Sequence, residues 1–419
     1  MATQLFDVAV VGAGIPGLVS ALGFAANHCN VALIDPRLQA CSPDGPIRAR
    51  NYAITPAARS VLRHLGAESS LNVERITPFT SMHVWDAASS GVVHFNLPPM
   101  CDALGWIIEH DNLQAALLGC VSTLPRITMI EAGATHVGHA PAVVSLDSGM
   151  DIKARLVVGA DGVNSLIRAA MGVNLSVKSF HQRALVCNVT TELPHNNVAR
   201  QRFLPGGPLA FLPLPDPHQC SIVWSCADTR AAALLAEDTD QFSRSLAEDF
   251  DFALGAIREV GSRSAFVLEQ YRAERLAFDG FALVGDAAHR IHPLAGQGLN
   301  LGILDGAALV ESLGEPRSMD SDDLSWPSQR ALAGYSRWRA SEAAILTSVT
   351  AGLNRLFSAK SGWLRGIRGL GMNATDRAGP AKDWLIARAM GLQGDLPEMG
   401  QVDFPARTAS SFSLPASPE

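Results

Sequence analysis

Three glycines and one acidic residue near the start of the chain have the spacing of a dinucleotide-binding site. Gly12, Gly14 and Gly17 follow an apolar stretch as Gly-x-Gly-x-x-Gly, and Asp35 ends the next apolar stretch. In such a unit the glycines let the backbone approach a pyrophosphate, a helix start faces its charge, and the carboxylate accepts hydrogen bonds from a ribose. The motif predicts dinucleotide binding, but it does not separate FAD from NAD.

Two later segments repeat the order of apolar stretch, glycine, acidic residue and helix. Residues 155–158 run into a Gly-Ala-Asp-Gly sequence that contains Asp161, and residues 281–284 run into Gly285 and Asp286. The carboxyl ends of parallel strands in a doubly wound sheet lie at one edge, so the three junctions should meet there. A cofactor that touches all three must be long.

The composition indicates a globular enzyme-sized protein with a small-molecule substrate. Of 419 residues, 47% are hydrophobic and 17% charged, which allows two or three domains with real cores. A net charge of -7 provides no basic field, which argues against nucleic acid as a partner. Seven cysteines without a CxxC pair fit reduced thiols in the cytoplasm.

Two features imitate other functions. His289 and His292 have the spacing of metal ligands on one helix face, but no third ligand cluster accompanies them, so no metal site is expected. The uncharged stretch 8–26 imitates a signal or membrane segment, but no Lys or Arg precedes it and its glycines interrupt it. Any membrane contact, including contact with an inner membrane, should therefore be peripheral.

The segment from His292 to Asp305 carries a more specific signal. Its sequence HPLAGQGLNLGILD, together with the two earlier motifs, resembles the group A flavoprotein monooxygenases and, within them, the ubiquinone-biosynthesis hydroxylase family. Further matching stretches are 48–55, 105–117, 207–215 and 387–397. The resemblance implies FAD as cofactor and NAD(P)H and O2 as co-substrates. It also implies hydroxylation of a polyprenylated phenol or quinol through a flavin C4a-hydroperoxide.

The resemblance also implies roles for individual residues. The first glycine motif would hold the FAD pyrophosphate, Asp161 would lie near FAD and the visiting nicotinamide, and Asp286 would accept hydrogen bonds from the ribityl chain. Arg50 would lie near the flavin, and Gln114 would help to hold the cofactor. Asp111 departs from the family pattern, because related hydroxylases often carry Arg there.

The loop after the Gly-Asp pair should serve the flavin ring. Gly296 and Gly298 permit a loop whose next helix, starting near Leu299, points backbone N–H groups at the pyrimidine edge of the flavin, and Asn300 adds a donor. Reduced flavin is anionic at this edge, and a partly buried helix N-terminus stabilises negative charge by up to roughly 2 kcal/mol.

His292 and Pro293 are the candidate catalytic residues. Pro293 fixes its own φ and biases His292 towards an extended conformation, so the pair predicts a stiff wall, which the resemblance places beside the reacting flavin face. His292 has two possible roles here: a general base for the phenol proton, or a neutral hydrogen-bonded brace.

The order of the segments predicts an α/β fold with a discontinuous Rossmann-like FAD-binding domain, an antiparallel-sheet substrate domain and a C-terminal helical region. The FAD-binding domain comprises 1–75, 101–175 and 278–345. The substrate domain comprises 76–100 and 176–277, followed by the helical region 346–402 and a mobile tail, 403–419. Four apolar residues of the substrate domain either line a ring pocket or pack in its core: Phe211, Leu212, Pro213 and Trp224.

The C-terminal segment 353–371 mixes basic with large apolar residues. Such a helix either lies on an anionic membrane or packs its apolar face on the flavin domain, and the second interpretation is favoured. Two other functions stay open: action on another aromatic or lipid metabolite, and a non-catalytic flavin-binding subunit of a ubiquinone-biosynthesis complex.

Overall fold

The structure, a computed structural model, describes most of the chain. The described residues are 3–39, 45–98, 101–138, 142–292, 296–315, 326–358, 362–377, 387, 391 and 394–402. Pro293, residues 359–361 of the C-terminal segment 353–371 and the predicted tail 403–419 lie outside them.

Strand-helix-strand units and runs of consecutive strands both occur along the chain. The helices are α1 (Ile15–Ala26), α2 (Pro56–His64), α3 (His110–Thr123), α4 (Leu166–Ala170), α5 (Asp228–Ala236), α6 (Thr239–Asp249), α7 (Gly298–Leu313), α8 (Gln329–Ser358) and α9 (Gly362–Arg377). The strands are β1 (Thr3–Val11), β2 (Val31–Asp35), β3 (Asn51–Ile54), β4 (Ile76–Phe79), β5 (Ser81–Asp86), β6 (Val92–Asn96), β7 (Gly105–Glu109), β8 (Ile127–Glu131), β9 (Ala134–Gly138), β10 (Val143–Leu146), β11 (Asp151–Gly159), β12 (Leu175–Thr191), β13 (Val198–Leu204), β14 (Gly207–Pro213), β15 (Gln219–Ala227), β16 (Ile257–Val260), β17 (Ser264–Ala273), β18 (Ala277–Phe278), β19 (Phe281–Leu283) and β20 (His289–Arg290).

The first sheet is the predicted Rossmann-like unit. Its main order is β18-β19-β11-β1-β2-β8, and β19, β11, β1, β2 and β8 run parallel. The central strand β1 is buried from Phe6 to Val11 because helices cover both faces of a parallel sheet. On one face α1 packs against α7 so closely that a Cβ on Gly23 would lie 2.8 Å from a Val310 methyl carbon.

The second sheet has nine strands in the main order β20-β17-β12-β15-β14-β13-β5-β6, with β16 paired to β12. Its pairs are antiparallel except for β13 and β5, which run parallel. A third sheet has the order β3-β7-β4. In the chain, β3 and β4 precede strands β5 and β6 of the second sheet, and β7 follows them. The predicted antiparallel sheet of the substrate domain is therefore confirmed.

Side-chain alternation divides the second sheet into two faces, which separates the two interpretations of the apolar residues of the substrate domain. Phe211 stacks on Phe250 with 3.7 Å between ring centroids, and Trp224 packs near Phe242. Both lie in the core under α5 and α6. Leu212, one position along the strand, points to the opposite face and lines the main cavity.

The C-terminal helices extend across the open face of the second sheet. In α9, Asn373 Oδ1 accepts a hydrogen bond from Val92 N (3.1 Å), and Asp376 Oδ1 accepts one from His94 N (2.9 Å). By accepting hydrogen bonds from backbone N–H groups of the edge strand β6, these side chains cover an edge of the second sheet that would otherwise be open. The favoured sequence interpretation, packing on the flavin domain, is therefore wrong for α9. None of the helices formed by the described residues is long and apolar enough to cross a membrane.

Candidate active site

The three predicted junctions lie side by side. β1, β11 and β19 are adjacent parallel strands, and their carboxyl ends lead into Gly12, Ala160 and Gly285. The first two junctions are in direct contact: a Cβ on Gly12, which has φ +107°, would lie 2.3 Å from the Ala160 carbonyl oxygen. The prediction that the junctions meet at one edge of the sheet is confirmed.

The first junction has the shape of a pyrophosphate cradle. A Cβ on Gly17 would lie 2.0 Å from the Gly12 carbonyl oxygen, so the turn can only be built from glycine there. Gly14, in contrast, is the N-cap of α1, has ordinary extended backbone angles, and faces open space within 4 Å of its Cβ position. No described side chain caps this helix, and Gly14, Ile15 and Pro16 at its start line the cavity.

Asp35 and Gln114 both bond to the backbone of Ala13 in the glycine turn. Asp35 Oδ2 accepts a hydrogen bond from Ala13 N at 2.8 Å, and Gln114 Nε2 donates one to Ala13 O at 3.2 Å. Asp35 Oδ1 also accepts from Arg37 N. Both predicted residues therefore lie at the first junction, where they hold the turn from either side.

Asp161 lies at the second junction and caps the following helix. Its Oδ2 accepts hydrogen bonds from Leu166 N (2.7 Å) and Ile167 N (3.2 Å) at the start of α4. Its Oδ1 is buried without a hydrogen-bond partner among the described residues. A buried carboxylate oxygen in this state fits a site that is completed by a bound donor such as a cofactor hydroxyl.

The third junction is built by close backbone contact. Gly285 has φ +58°, and a Cβ there would lie 2.9 Å from Pro16 Cγ. A Cβ on Gly302 of α7 would meet the same proline carbon at 2.9 Å. Asp286, which follows Gly285, exposes its side chain to the cavity. Its backbone carbonyl accepts a 2.6 Å hydrogen bond from Tyr271 Oη.

A buried ionic cluster supports this junction, and the sequence interpretation assigned no role to it. Asp305 accepts hydrogen bonds from Gly285 N (3.1 Å), His289 Nε2 (2.6 Å) and Arg339 Nε (2.8 Å). Burial alone would raise the pKa of Asp305, but His289 and Arg339 hold that pKa below its ordinary value. The sequence contained one indication of this cluster, because Asp305 ends the segment that follows the Gly-Asp pair. No local motif includes Arg339.

The helix after the glycine loop begins at Gly298, one residue before the predicted start. Its N-cap residue, Gln297, provides no side-chain cap, and Gln297, Gly298 and Leu299 line the cavity. The Asn300 side chain differs from the prediction: its Nδ2 donates to Ala53 O at 2.8 Å and its Oδ1 accepts from Thr55 N at 3.0 Å. The side-chain amide of Asn300 therefore joins α7 to the end of β3. The backbone N–H of Asn300 belongs to the first turn of α7.

Arg50, which the resemblance would place near the flavin, lies in the cavity wall. Its Nε donates a 2.7 Å hydrogen bond to Tyr52 Oη, and one of its terminal nitrogens lies 3.5 Å from His110 Nε2. Burial, with a smaller contribution from Arg50, lowers the pKa of His110 to about 4. The uncharged imidazole is therefore an acceptor for Arg50. Asp111, the departure from the family pattern, pairs with Arg48 at 3.2 Å.

His292 is buried against strand β12 of the second sheet. Its Nε2 lies 3.2 Å from Gln182 Oε1. Its ring packs edge-to-face against the ring of Phe180, with 4.9 Å between the ring centroids. Burial lowers its pKa to about 4, so it is uncharged near neutral pH. His292 is not among the residues that line the cavity, whereas Ile291 is.

A single cavity of about 1280 Å³ joins the junctions to the second sheet. Near the junctions its wall contains Gly14, Arg50, Asp286 and Gly298. Across the second sheet its wall is mainly apolar and includes Met82, Val84, Val93, Phe95, Phe203, Ala210, Leu212, Val223, Phe266, Val349, Phe357 and Met372. No group of three or more potential metal ligands occurs within the described ranges.

Known proteins share both the sequence and the fold. A family model described as FAD binding domain matches residues 6–325. The chain is 34% identical to ubiquinone hydroxylase UbiL of Rhodospirillum rubrum, over 93% of this chain and 90% of the relative. It is 33% identical to 3-demethoxyubiquinol 3-hydroxylase of Escherichia coli, over 94% and 100%. The p-nitrophenol 4-monooxygenase PnpA of Pseudomonas putida has the same fold, with a TM-score of 0.73, 18% identity and coverage of 94% and 99%.

The residues present fit an FAD cofactor. The starts of α1 and α7 and the exposed Asp286 line one cavity, and helix N-termini and an exposed carboxylate are groups that suit the phosphates and hydroxyls of this cofactor. The chain is an FAD-dependent monooxygenase that belongs to the FAD binding domain family and, within it, to the ubiquinone-biosynthesis hydroxylases.

Proposed function

We propose that this enzyme hydroxylates the aromatic ring of a polyprenylated phenol or quinol intermediate of ubiquinone biosynthesis. The observation that carries the proposal is the continuity of one cavity from the three junctions to a long apolar groove over the second sheet. A simple phenol would need only the part beside the flavin. The groove continues to Phe357 and Met372, at the far side of the sheet, where an apolar tail has a surface to bury against.

The cofactor site is proposed residue by residue. The first junction would bind the pyrophosphate and Asp35 the adenosine ribose, while Asp286 would accept hydrogen bonds from ribityl hydroxyls. Asn300 would contribute through its backbone N–H, because its side chain is paired with β3. The full proposed set is Gly12, Gly14, Gly17, Asp35, Arg50, Gln114, Asp161, Gly285, Asp286, Gly296, Gly298, Leu299 and Asn300.

Bound FAD supplies the redox chemistry, namely hydride acceptance from NAD(P)H and activation of O2. One oxygen atom enters the ring and the other leaves as water. The protein's own part is to bind, orient and exclude water. The α7 N-terminus would stabilise negative charge at the flavin edge, and the apolar groove would keep water from the reacting ring.

For His292 the contacts support the brace over the general base. The ring is 1% exposed, is uncharged because burial lowers its pKa to about 4, and shares a hydrogen bond with Gln182. A group with that pKa is a weak base near neutral pH. Pro293, proposed as part of the same wall, lies outside the described residues.

The proposal includes peripheral membrane contact, because three apolar residues that line the cavity also have exposed side chains. Phe266, Val349 and Leu356 have exposed fractions of 41%, 40% and 36%. Leu370 of α9, 72% exposed, lies next to the lining residue Gly371. This apolar rim would let a prenylated substrate pass from a membrane surface into the groove. Membership of a ubiquinone-biosynthesis complex and the domain boundaries given above belong to the same proposal.

The reaction is tested with purified enzyme, FAD, NADH or NADPH, and ¹⁸O₂. A prenylated phenol should gain one ¹⁸O atom by mass spectrometry, and a strain that lacks the enzyme should accumulate a precursor with one oxygen missing. Reduction of the phenol without ¹⁸O would contradict hydroxylation. A normal quinone pool in the deletion strain would exclude the physiological role.

The non-catalytic alternative is separated by Asp286→Ala. The substitution removes one exposed carboxylate, so the protein should fold but lose FAD and fail to restore quinone synthesis in the deletion strain. Complementation by folded, flavin-free protein would support a purely structural subunit instead. Action on another aromatic or lipid metabolite would show as ¹⁸O incorporation confined to substrates without a prenyl chain.

A further inference from the structure

One amide interrupts the apolar face of the groove. The register of the second sheet places one residue from each of six neighbouring strands in a row across this face. In spatial order, and all lining the cavity, these residues are Val84, Gln201, Ala210, Val223, Val186 and Ser264. Gln201 is the only member of the row with an amide, and it lies between a valine and an alanine.

The side chain of Gln201 has no hydrogen-bond partner within the part of the chain that the structure describes. It is half-buried, with Val84 and Ala210 beside it across the sheet. Its neighbours on the same face of β13, two positions away on either side, are Ala199 and Phe203. None of these four side chains can form a hydrogen bond. Because a polar group in apolar surroundings costs free energy unless it is paired, a bound molecule or water must complete the amide.

The row beside that of Gln201 is bonded to the segment that carries Arg50. In this row Asn188 Nδ2 donates a 2.7 Å hydrogen bond to Ile47 O, and Ser221 Oγ accepts one of 3.1 Å from Asn51 Nδ2. Rows on one face are about 7 Å apart, because they are separated by two residues of each strand. The amide therefore lies one row away from the end of the groove where the cofactor is proposed to bind.

In the other direction, β13 leads to the far end of the groove. Phe203, two positions after Gln201, stacks on Phe357 with 3.7 Å between ring centroids. Both rings pack with Met372 in one apolar cluster, and all three residues line the cavity. A prenylated phenol that extends from the cofactor end to this cluster must pass Gln201.

We propose that Gln201 is a specificity-determining residue that pairs its amide with the ring hydroxyl of a prenylated phenol. The inference rests on the proposed function for the class of substrate. A hydroxyl suits this amide, because it can donate to Oε1 or accept from Nε2. An aromatic ring without the hydroxyl leaves the amide unpaired, so the groove should select phenols over otherwise identical hydrocarbons.

The test compares a geranylated phenol with geranylbenzene, which lacks only the ring hydroxyl. Their dissociation constants are measured by equilibrium dialysis with FAD-loaded enzyme in the absence of NAD(P)H. The wild type should bind the phenol roughly tenfold or more tightly than the hydrocarbon, and Gln201→Leu should lose this preference through weaker binding of the phenol. Gln201→Met, which keeps the length of the side chain, should behave in the same way and replaces the leucine variant if that variant does not fold.

Gln241→Leu is the matched control, because Gln241 is an exposed glutamine of α6, on the opposite side of the second sheet. It should keep the wild-type preference. The same preference in Gln201→Leu as in the wild type overturns the inference, as does a wild type that binds both probes equally. Binding of the phenol through Gln201 without incorporation of ¹⁸O would contradict the proposed function and leave the recognition by Gln201 intact. A wild type that binds neither probe contradicts both.

Discussion

Arg339 and Asp305 form an ion pair in which neither side chain is accessible to solvent, with 2.8 Å between Arg339 Nε and Asp305 Oδ1. The second oxygen of Asp305 accepts hydrogen bonds from Gly285 N and His289 Nε2. Arg339 comes from α8, which lines the apolar groove, and Gly285 begins the turn that presents Asp286. One carboxylate therefore holds a turn that is proposed to bind the cofactor and a groove-lining helix in a fixed relation.

Removing either partner of this pair should be strongly destabilising. Asp305→Asn leaves the Arg339 charge buried without its carboxylate, and loss of one partner of a buried pair costs about 3–5 kcal/mol. FAD content should fall as well, because the Gly285 turn loses a charged acceptor. Thermal unfolding and the ratio of flavin to protein absorbance measure the two effects.

A surface pair is the control for that prediction. Arg63 and Glu68 are as close, at 2.6 Å, but the Arg63 side chain is 63% exposed, so Arg63→Ala should cost less than about 1 kcal/mol. The double variant Asp305→Leu with Arg339→Met should recover part of the stability lost in either single variant. If Asp305→Asn changed stability no more than Arg63→Ala, the Asp305–Arg339 pair would not hold the Gly285 turn and α8 together.

Substitution by alanine should affect different properties at two glycines of the first motif. Gly14→Ala meets nothing within 4 Å and has an allowed backbone conformation, so the protein should keep its stability but bind FAD at least about tenfold more weakly, because the methyl group occupies the cradle. Gly12→Ala combines φ +107° with a 2.3 Å contact, so it should reduce the yield of folded protein. Flavin titration of the apoprotein and thermal unfolding distinguish the outcomes. Full FAD affinity in Gly14→Ala would mean that the pyrophosphate lies elsewhere.

The residues that could be predicted from the sequence are those whose role depends on local backbone shape. The glycine junctions were found because strand, glycine and helix are consecutive, and parallel strands must end at one edge. Arg339 was missed because its partner is 34 positions away and no local pattern connects them. The amide of Asn300 was misassigned for the same reason, since its partner Thr55 is 245 positions away.

The orientation of the second sheet could not be predicted because both of its faces are apolar. One face packs on α5 and α6 and the other lines the groove, so alternation separates Phe211 from Leu212 without indicating which of them faces the ligand. The position of α9 depends on side chains that pair with edge-strand N–H groups, which have no spacing signature.

A bulky residue in the groove should exclude long substrates selectively. Ala210→Trp places an indole on the groove face of β14, so kcat/KM for a prenylated phenol should fall by roughly tenfold or more, with FAD content unchanged. A water-soluble phenol without a chain should be affected much less. Ala232→Trp, on the exposed side of α5, is the control and should leave both activities intact. Equal loss for both phenols in Ala210→Trp would show that the groove does not bind the chain.

Stability should decrease in mild acid because of His292. Burial lowers its pKa to about 4 in the folded protein, below the ordinary value of 6.5, so the unfolded chain binds the proton more tightly. The contribution of this group is therefore fully present above pH 6.5 and is lost as the pH falls towards 4; it amounts to about 2 kcal/mol between pH 7.5 and pH 5. His292→Gln should lose this part of the pH dependence, which is measured by urea unfolding at both pH values. Equal pH slopes in the wild type and the variant would show that His292 is protonated in the folded protein.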